Sequence, residues 1–351
     1  MAGIVYSKMS GKNDALFGKF EHPIKALIEN ESNAWEKRKT ILDVLYNVEK
    51  SNRYAETIMG QSDFDTFMAT GEGQRGENDS TELTYKKTIE HITFKKNFTI
   101  TREMAEDAKL GMGADMKAKP AAFVRAYHKT KIKIAEWALA NGTEENGIFN
   151  KASVDLTTGD KKPLFYGAHP YAKKEMKGKS QSNYFYGANM LDTVENFETF
   201  LNLASNKLRN FKDENGEVME YTANIVVIPG NRPKLEAIAK KVIGSERTVG
   251  TGNNDINIQY GNWTLVVMTG WTSDDDRCIV MSSEANQNLM ANMFYNRVPL
   301  DVANDVDINT RNQIWNGYCR LGVGFTTWKH ALMMVGSGTK PTGSTATDIN
   351  A

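Results

Sequence analysis

LTYKKTIEHITFKKNFTI, residues Leu83–Ile100, is the stretch that decides the fold of this chain. Leu83, Tyr85 and Ile89 keep one alternation phase, and Ile92, Phe94, Phe98 and Ile100 keep the other. A period of two predicts extended strand, and the change of phase near His91 predicts a bulge or twist in a long ribbon. TREMAED (Thr101–Asp107) then turns the chain, with Thr101 as a helix N-cap and acidic side chains in the first turns. Gly111 and Gly113 interrupt that helix, and Pro120 suits the first turn of the next. PAAFVRAYHKTKIKIAEWALANG (Pro120–Gly142) presents Phe123, Tyr127, Ile134, Trp137 and Ala138 on one face, and Asn141-Gly142 closes it. About 20 residues at ~1.5 Å each make a rod of roughly 30 Å. A strand arm feeding a rod is an unusual centre for an enzyme. It suits a protein that holds its neighbours.

On the other side of this stretch, FDTFMAT (Phe64–Thr70) is apolar, and GEGQRGENDS (Gly71–Ser80) is a polar tip between two strand candidates. An isolated two-stranded ribbon is marginal in water, so this hairpin needs a surface to lie on. Residues 1–30 are weakly patterned and read as an extended arm. A helix is predicted from Ala34 to Ile58, with Trp35, Leu42, Leu45 and Val48 as its apolar stripe.

Downstream, residues 147–182 form a loop-rich, basic stretch. Between Asp160 and Ser180, Lys161, Lys162, Lys173, Lys174, Lys177 and Lys179 face two acids, a local charge of +4. A helix follows, capped by Thr193, with Phe197, Phe200, Leu201, Ala204 and Leu208 inward. Ile225–Ile228 reads as an interior strand, Pro233 opens a helix, residues 244–259 form a polar loop, and Trp263–Met268 is a second interior strand. Such alternation implies an α/β lobe from about 190 to 295. Strands return over 296–335, and GSGTKPTGSTATDINA (336–351) lacks apolar anchors and reads as disordered.

The 351 residues carry 43 basic and 43 acidic side chains, a formal net charge of zero, which argues against coating nucleic acid wholesale. The chain is 40% hydrophobic, enough to bury a core. Cys278 and Cys319 are the only cysteines and lie far apart, so no disulfide framework exists and a reducing compartment is expected. The opening residues lack an apolar h-region, and no apolar run approaches a membrane span.

Motifs for chemistry fail one by one. GEGQRG (Gly71–Gly76) fits G-x-G-x-x-G, but a strand follows it, so no helix N-terminus receives a phosphate. Gly178-Lys179-Ser180 lacks the first glycine of a Walker A loop. Asp274–Asp276 and Asp301, Asp305 and Asp307 have no calcium-loop spacing and read as solvated turns. His22, His91, His128, His169 and His330 are scattered and read as structural. The lysine cluster is the strongest polyanion candidate, weighed against a solvated loop. No catalytic, cofactor-binding or metal-binding residue is expected.

The order of the parts resembles the major capsid proteins of tailed bacteriophages, which share the Hong Kong 97-type fold. Y-x-x-x-x-E-H-x-x-F-x-x-x-F-x-I-T-R-E-x-x-E-D (Tyr85–Asp107) and LFYGAHP (Leu164–Pro170) carry the likeness. NIVVIPGNRPKLEAIAKKVI (Asn224–Ile243) and YCRLGVGFTTW (Tyr318–Trp328) extend it over nearly the whole chain. The resemblance implies an α+β subunit. Its parts are an N-terminal arm with a helix (1–60), an E-loop hairpin (61–98) and a P-domain with a spine helix (99–190). An A-domain (191–295), the return to the P-domain (296–335) and a disordered tail (336–351) complete it. It implies self-assembly into pentamers and hexamers that close an icosahedral shell around double-stranded DNA. Gly71, Gly73, Arg75, Gly76 and Glu77 would then make intersubunit contact at the E-loop tip, and the six lysines would face DNA. Portal and scaffolding proteins are implied partners, a decoration protein is left open, and the site of action is the virion, assembled in a bacterial cytoplasm. Only about 60 residues precede the E-loop, so scaffolding is expected from a separate protein. Lys86, Lys87, Lys95 and Lys96 lie where some relatives crosslink, but no motif selects one. The alternatives are an encapsulin-type compartment shell, a soluble enzyme with an unrecognised site, and a DNA-binding protein.

Overall fold

The change of phase at His91 is a change of sheet. In the computed structural model, residues 5–6, 17–61, 69–76, 83–108, 113–173, 176–247 and 256–350 are described. There Leu83–Glu90 pairs antiparallel with Ala55–Gln61, whereas Ile92–Ile100 pairs antiparallel with Gln313–Phe325. A strand serving two sheets must turn its apolar face at the crossing, which is why the alternation flips.

In chain order the first elements are β1 (Val5–Tyr6), α1 (Gly18–Glu36), α2 (Ile41–Leu45), β2 (Asn47–Lys50) and β3 (Ala55–Gln61). Next come β4 (Leu83–Glu90), β5 (Ile92–Ile100), α3 (Arg102–Asp107), α4 (Ala114–Ala140), β6 (Asn146–Phe149) and β7 (Ala152–Asp155). They are followed by β8 (His169–Pro170), β9 (Ser180–Gln181), β10 (Tyr184–Tyr186), α5 (Val194–Arg209), β11 (Ile225–Pro229) and α6 (Pro233–Gly244). The last are β12 (Thr264–Met268), β13 (Arg277–Met281), α7 (Ser283–Asn288), β14 (Asn292–Val306), β15 (Gln313–Phe325), β16 (Ala331–Val335) and β17 (Thr347–Asp348).

Two sheets organise these elements. One has the order β1-β14-β15-β5, with β2 also on β14. On one of its faces Leu300, Val302 and Trp315 meet Phe17, Ile24 and Ile28 of the α1 region and Met116, Phe123 and Val124 of α4. The other sheet has the order β12-β11-β13-β16-β10-β17. Its core continues into α5 and α6 and reaches the C-terminal half of α4 through Ile134, Ala138 and Leu139. The α4 helix thus runs between the two halves, about 40 Å long at ~1.5 Å per residue. The β3–β4 pair stands apart as a two-stranded sheet.

Local rules explain much of this. Thr193 accepts a hydrogen bond from the Asn196 backbone N–H at 3.2 Å, and all five inward residues read for α5 are buried. Thr101 caps α3 in the same way through Met104. Pro233 opens α6, and β11 is buried along its whole length.

Four expectations need correction. The N-terminal region is not a bare arm: α1 begins at Gly18, and Phe17, Ile24 and Ile28 sink against α4. The helix read from Ala34 to Ile58 does not exist as one unit. Thr40 and Asp43 form a capping box that starts the short α2, and tertiary pairing then draws 47–50 and 55–61 into sheets, leaving Val48 exposed. The long helix starts at Ala114 and carries Pro120 inside it. Its early turns are held from outside, by burial of Met116 and by Lys119 Nζ donating to the Thr99 carbonyl at 2.8 Å, which offsets the proline's missing bond. Finally, the tail read as disordered over 336–351 is packed through 350. Ala346 and Ile349 are buried, β17 pairs with β10, and the Gly167 N–H donates to Thr345 Oγ1 at 3.0 Å. Two apolar residues three apart suffice as anchors because β10 has an open edge to cover.

Candidate functional site

The β3–β4 hairpin is the feature that lacks a core of its own. Ile58, Lys87 and Ile89 lie on its inner face; Ile89 packs on Met293 and Tyr295, and a Cβ at Gly324 would meet Ile89 at 2.8 Å. Farther out, Leu83 is 67% exposed and Met59 55% exposed. At the tip, Gly71, Gly73, Arg75 and Gly76 are all exposed, and Gly73 takes φ +75°, a left-handed turn that glycine adopts freely. Glu77 lies outside the described residues.

The root of the hairpin is tied down by polar contacts that sequence reading missed. Lys87 is almost fully buried, and its Nζ donates to Asp155 Oδ2 at 2.6 Å and to Thr157 Oγ1 at 3.0 Å. Burial holds this ammonium below the usual lysine range, against the pull of Asp155. Burial alone would raise the Asp155 carboxyl, but the Lys87 ammonium and the Thr157 donors hold it below the usual range. Tyr85 Oη donates to the Pro170 carbonyl at 3.0 Å, and its Cβ passes so close to Gly159 that no side chain fits there. At the crossing, Ser51 Oγ lies 2.9 Å from His91 Nε2 and donates to Glu56 Oε1 at 2.7 Å. The legible signal for Lys87 was its place on the inward phase between Tyr85 and Ile89. Beside the root lies a cavity of about 310 Å³ between Ile58, Tyr85, Asp160, Glu214, Trp328 and Lys329.

The six lysines do not share one environment. Lys161 and Lys162 sit in the turn closed by the Thr157–Pro163 bridge, where Lys161 is exposed and Lys162 Nζ lies 5.3 Å from the Tyr166 ring centre. Lys173, Lys177 and Lys179 belong to the loop between β8 and β9. Lys173 Nζ donates to Asn215 Oδ1 at 2.9 Å, while Lys177 and Lys179 are exposed. Lys174 lies outside the described residues. Asp160, one of the two acids of that stretch, is turned inward and lies 2.7 Å from His169 Nδ1.

His128, His169 and the two cysteines are used for packing, whereas His22 is exposed. His169 stacks on Trp328 at 4.4 Å and approaches Asn183 Oδ1 at 3.1 Å, and the Asn183 amide donates to the carbonyls of Leu164 and Ala331. His128 stacks on Trp35, and burial followed by Lys131 pushes it down to about 4. Cys278 and Cys319 are buried and free, and burial pushes the Cys319 thiol up to about 12. Among the described residues no group of three or more His, Cys, Asp or Glu could hold a metal ion. No helix among them is long and apolar enough to cross a membrane.

No family model and no curated protein matches the sequence. Solved structures do match, over nearly the whole chain. A chain of Mycobacterium phage Patience shares a TM-score of 0.51 at 13% identity, over 97% of this chain and 94% of its own. One from the capsid of Myoviridae Phage XM1 gives 0.50 at 13% identity, over 86% and 93%. One from the capsid of a native GTA particle gives 0.51 at 10% identity, over 85% and 90%. The chain therefore has the α+β Hong Kong 97-type fold found in tailed-phage capsids. At these identities the likeness lies in topology.

Proposed function

We propose that this chain is a major capsid protein that self-assembles into pentamers and hexamers, closing an icosahedral shell around packaged double-stranded DNA. On this reading 61–98 is the E-loop, α4 the spine helix of a P-domain (99–190), 191–295 the A-domain, and 296–335 the return. The observation that carries the proposal is the pairing of a chain-wide fold likeness to capsid chains with a hairpin whose described tip residues, 71–76, are all exposed. Apolar residues such as Leu83 and Met59 are left largely uncovered among the described residues, and a neighbouring copy supplies that cover.

Its function is then interface geometry. The hairpin root is latched to its own subunit by Lys87 and Tyr85, while the tip from Gly71 to Glu77 reaches another. Lys161, Lys177 and Lys179 are the exposed lysines that would meet DNA phosphates, with Lys162, Lys173 and Lys174 beside them in sequence. Portal and scaffolding proteins are partners that accompany this role in the virus, although the shell contacts belong to the chain itself, and the virion is the place of action after assembly in the bacterial cytoplasm.

Expression of the chain with electron microscopy of the purified product tests the reading. Regular closed shells are the expected result, and a monodisperse monomer at high concentration would overturn it. Shells that carry protein cargo and never nucleic acid would favour a compartment shell of the encapsulin type.

A further inference from the structure

The segment Ile256–Tyr260, read from sequence as part of a polar loop, is built inside out. Ile256, Ile258 and Tyr260 are 83%, 64% and 47% exposed, while the intervening Asn257 and Gln259 are buried. The inversion is fixed by hydrogen bonds. Asn257 Nδ2 donates to the Val242 and Ser245 carbonyls at 2.6 and 2.8 Å, capping the end of α6. Gln259 Nε2 donates to Asn202 Oδ1 at 2.8 Å, and its Oε1 accepts from Trp263 Nε1 at 2.7 Å. Turning the three apolar side chains inward would break every one of these bonds and leave buried amides unpaired. The apolar row is therefore committed to the outside.

We infer that Ile256, Ile258 and Tyr260 form a contact with another copy of this chain. The inference rests on the shell reading above and adds a surface to it that is separate from the hairpin. Three observations select that occupant. After the turn that holds Tyr260 the chain enters β12, which was expected to be an interior strand but is the outermost of its sheet, and on it Leu265 and Val267 are also only partly buried. Among the described residues beside it, Glu246 and Arg247 are exposed and balance in charge, so they offer no excess positive charge to recruit phosphate. The fold is shared with chains of assembled capsids, in which identical neighbours are the surfaces available throughout a shell.

Cysteine protection tests this directly, because the native Cys278 and Cys319 are buried. In an Ile258→Cys chain, maleimide labelling in assembled shells is expected to be slower than in dispersed subunits by about tenfold or more, since the reaction needs solvent access. Ile258→Asp is expected to raise the subunit concentration needed for assembly at least about tenfold, the loss of a hot-spot-sized contact. The far-UV spectrum and unfolding midpoint of dispersed Ile258→Asp subunits should match the parent. Shells that form normally from Ile258→Asp, or Ile258→Cys chains that label equally fast assembled and dispersed, overturn the inference and leave the shell reading intact. A parent chain that never forms shells overturns both.

Discussion

The buried ammonium of Lys87 allows a prediction whose size depends on which partner is removed. Lys87 has a side chain 6% exposed, while its partner Asp155 is 52% exposed. Exposed ion pairs contribute about 0 to 1 kcal/mol, and removing one partner of a buried pair costs about 3 to 5 kcal/mol. The pair lies between these limits, so Asp155→Asn, which leaves the ammonium buried with only Thr157 and an amide, should cost about 2 kcal/mol. Lys87→Met removes the desolvated group itself and leaves a carboxylate that water can reach. It should cost less than about 1 kcal/mol, because a methionine of similar length fills the same channel. The double variant should resemble Lys87→Met alone, giving a coupling near the Asp155→Asn loss. Urea unfolding of dispersed subunits, read by tryptophan fluorescence, measures all three. Lys87→Met proving as costly as Asp155→Asn, or more so, would refute the claim that desolvation dominates this site. The pair also has a pH signature. The Asp155 carboxyl is held below its usual value, so its contribution is fully present above about pH 4 and is lost as pH falls through the lowered folded-state value.

Deleting Gly71–Ser80 should leave the subunit folded and block or slow shell formation; normal shells by negative-stain microscopy would count against the tip as a contact. Trp137 is only partly buried, yet it packs on Phe149 and against Gly147. Trp137→Ala should therefore cost about 3 kcal/mol, the low end for a core aromatic, and an unchanged unfolding midpoint would contradict it. Ile349→Ala should cost about 2 to 3 kcal/mol, since the side chain is buried, whereas a loose tail would show no effect. His128 is held down to about 4, below its usual 6.5, so it stays neutral in the fold while the unfolded chain takes up a proton. Stability should decline as pH falls from about 6.5 to about 4, and His128→Gln should flatten that slope in pH-dependent unfolding.

The elements legible in the sequence were those whose partners lie close in the chain or whose pattern is strong. The α5 helix announced its cap and all five buried positions, and β11 announced itself as a short apolar run. Where distant pairing decided the outcome, local pattern failed. The stripe from Trp35 to Val48 points to a helix reaching Ile58, but 47–50 and 55–61 are drawn out by β14 and β4, and the tail is ordered by an open edge far away in sequence. Pro120 pointed to a helix start because proline usually stands there, and burial of Met116 moved the start outward. Of the proposed assembly surface, the β4 strand and the exposed glycine-rich run 71–76 were legible as structure, because alternation and glycine density are visible. Lys87 could not be weighed, since Asp155 and Thr157 meet it only in the fold. The Ile256 row escaped notice because alternation normally reports which side faces the core, and here buried amides reverse the rule.

The crossing at His91 has a mechanical consequence. From there to Leu83 the strand β4 spans eight residues, which at ~3.3 Å each makes a lever of about 26 Å. A rotation of about 10° at its root, within the scatter of ordinary strand twist, would carry the far end by roughly 5 Å, and the Lys87 and Tyr85 contacts are what oppose it. Gly322 sits directly beneath this pivot, where a Cβ would meet the His91 ring at 2.6 Å. The absence of one methyl group thus sets the height of the fulcrum, and through it the reach of an arm many residues away.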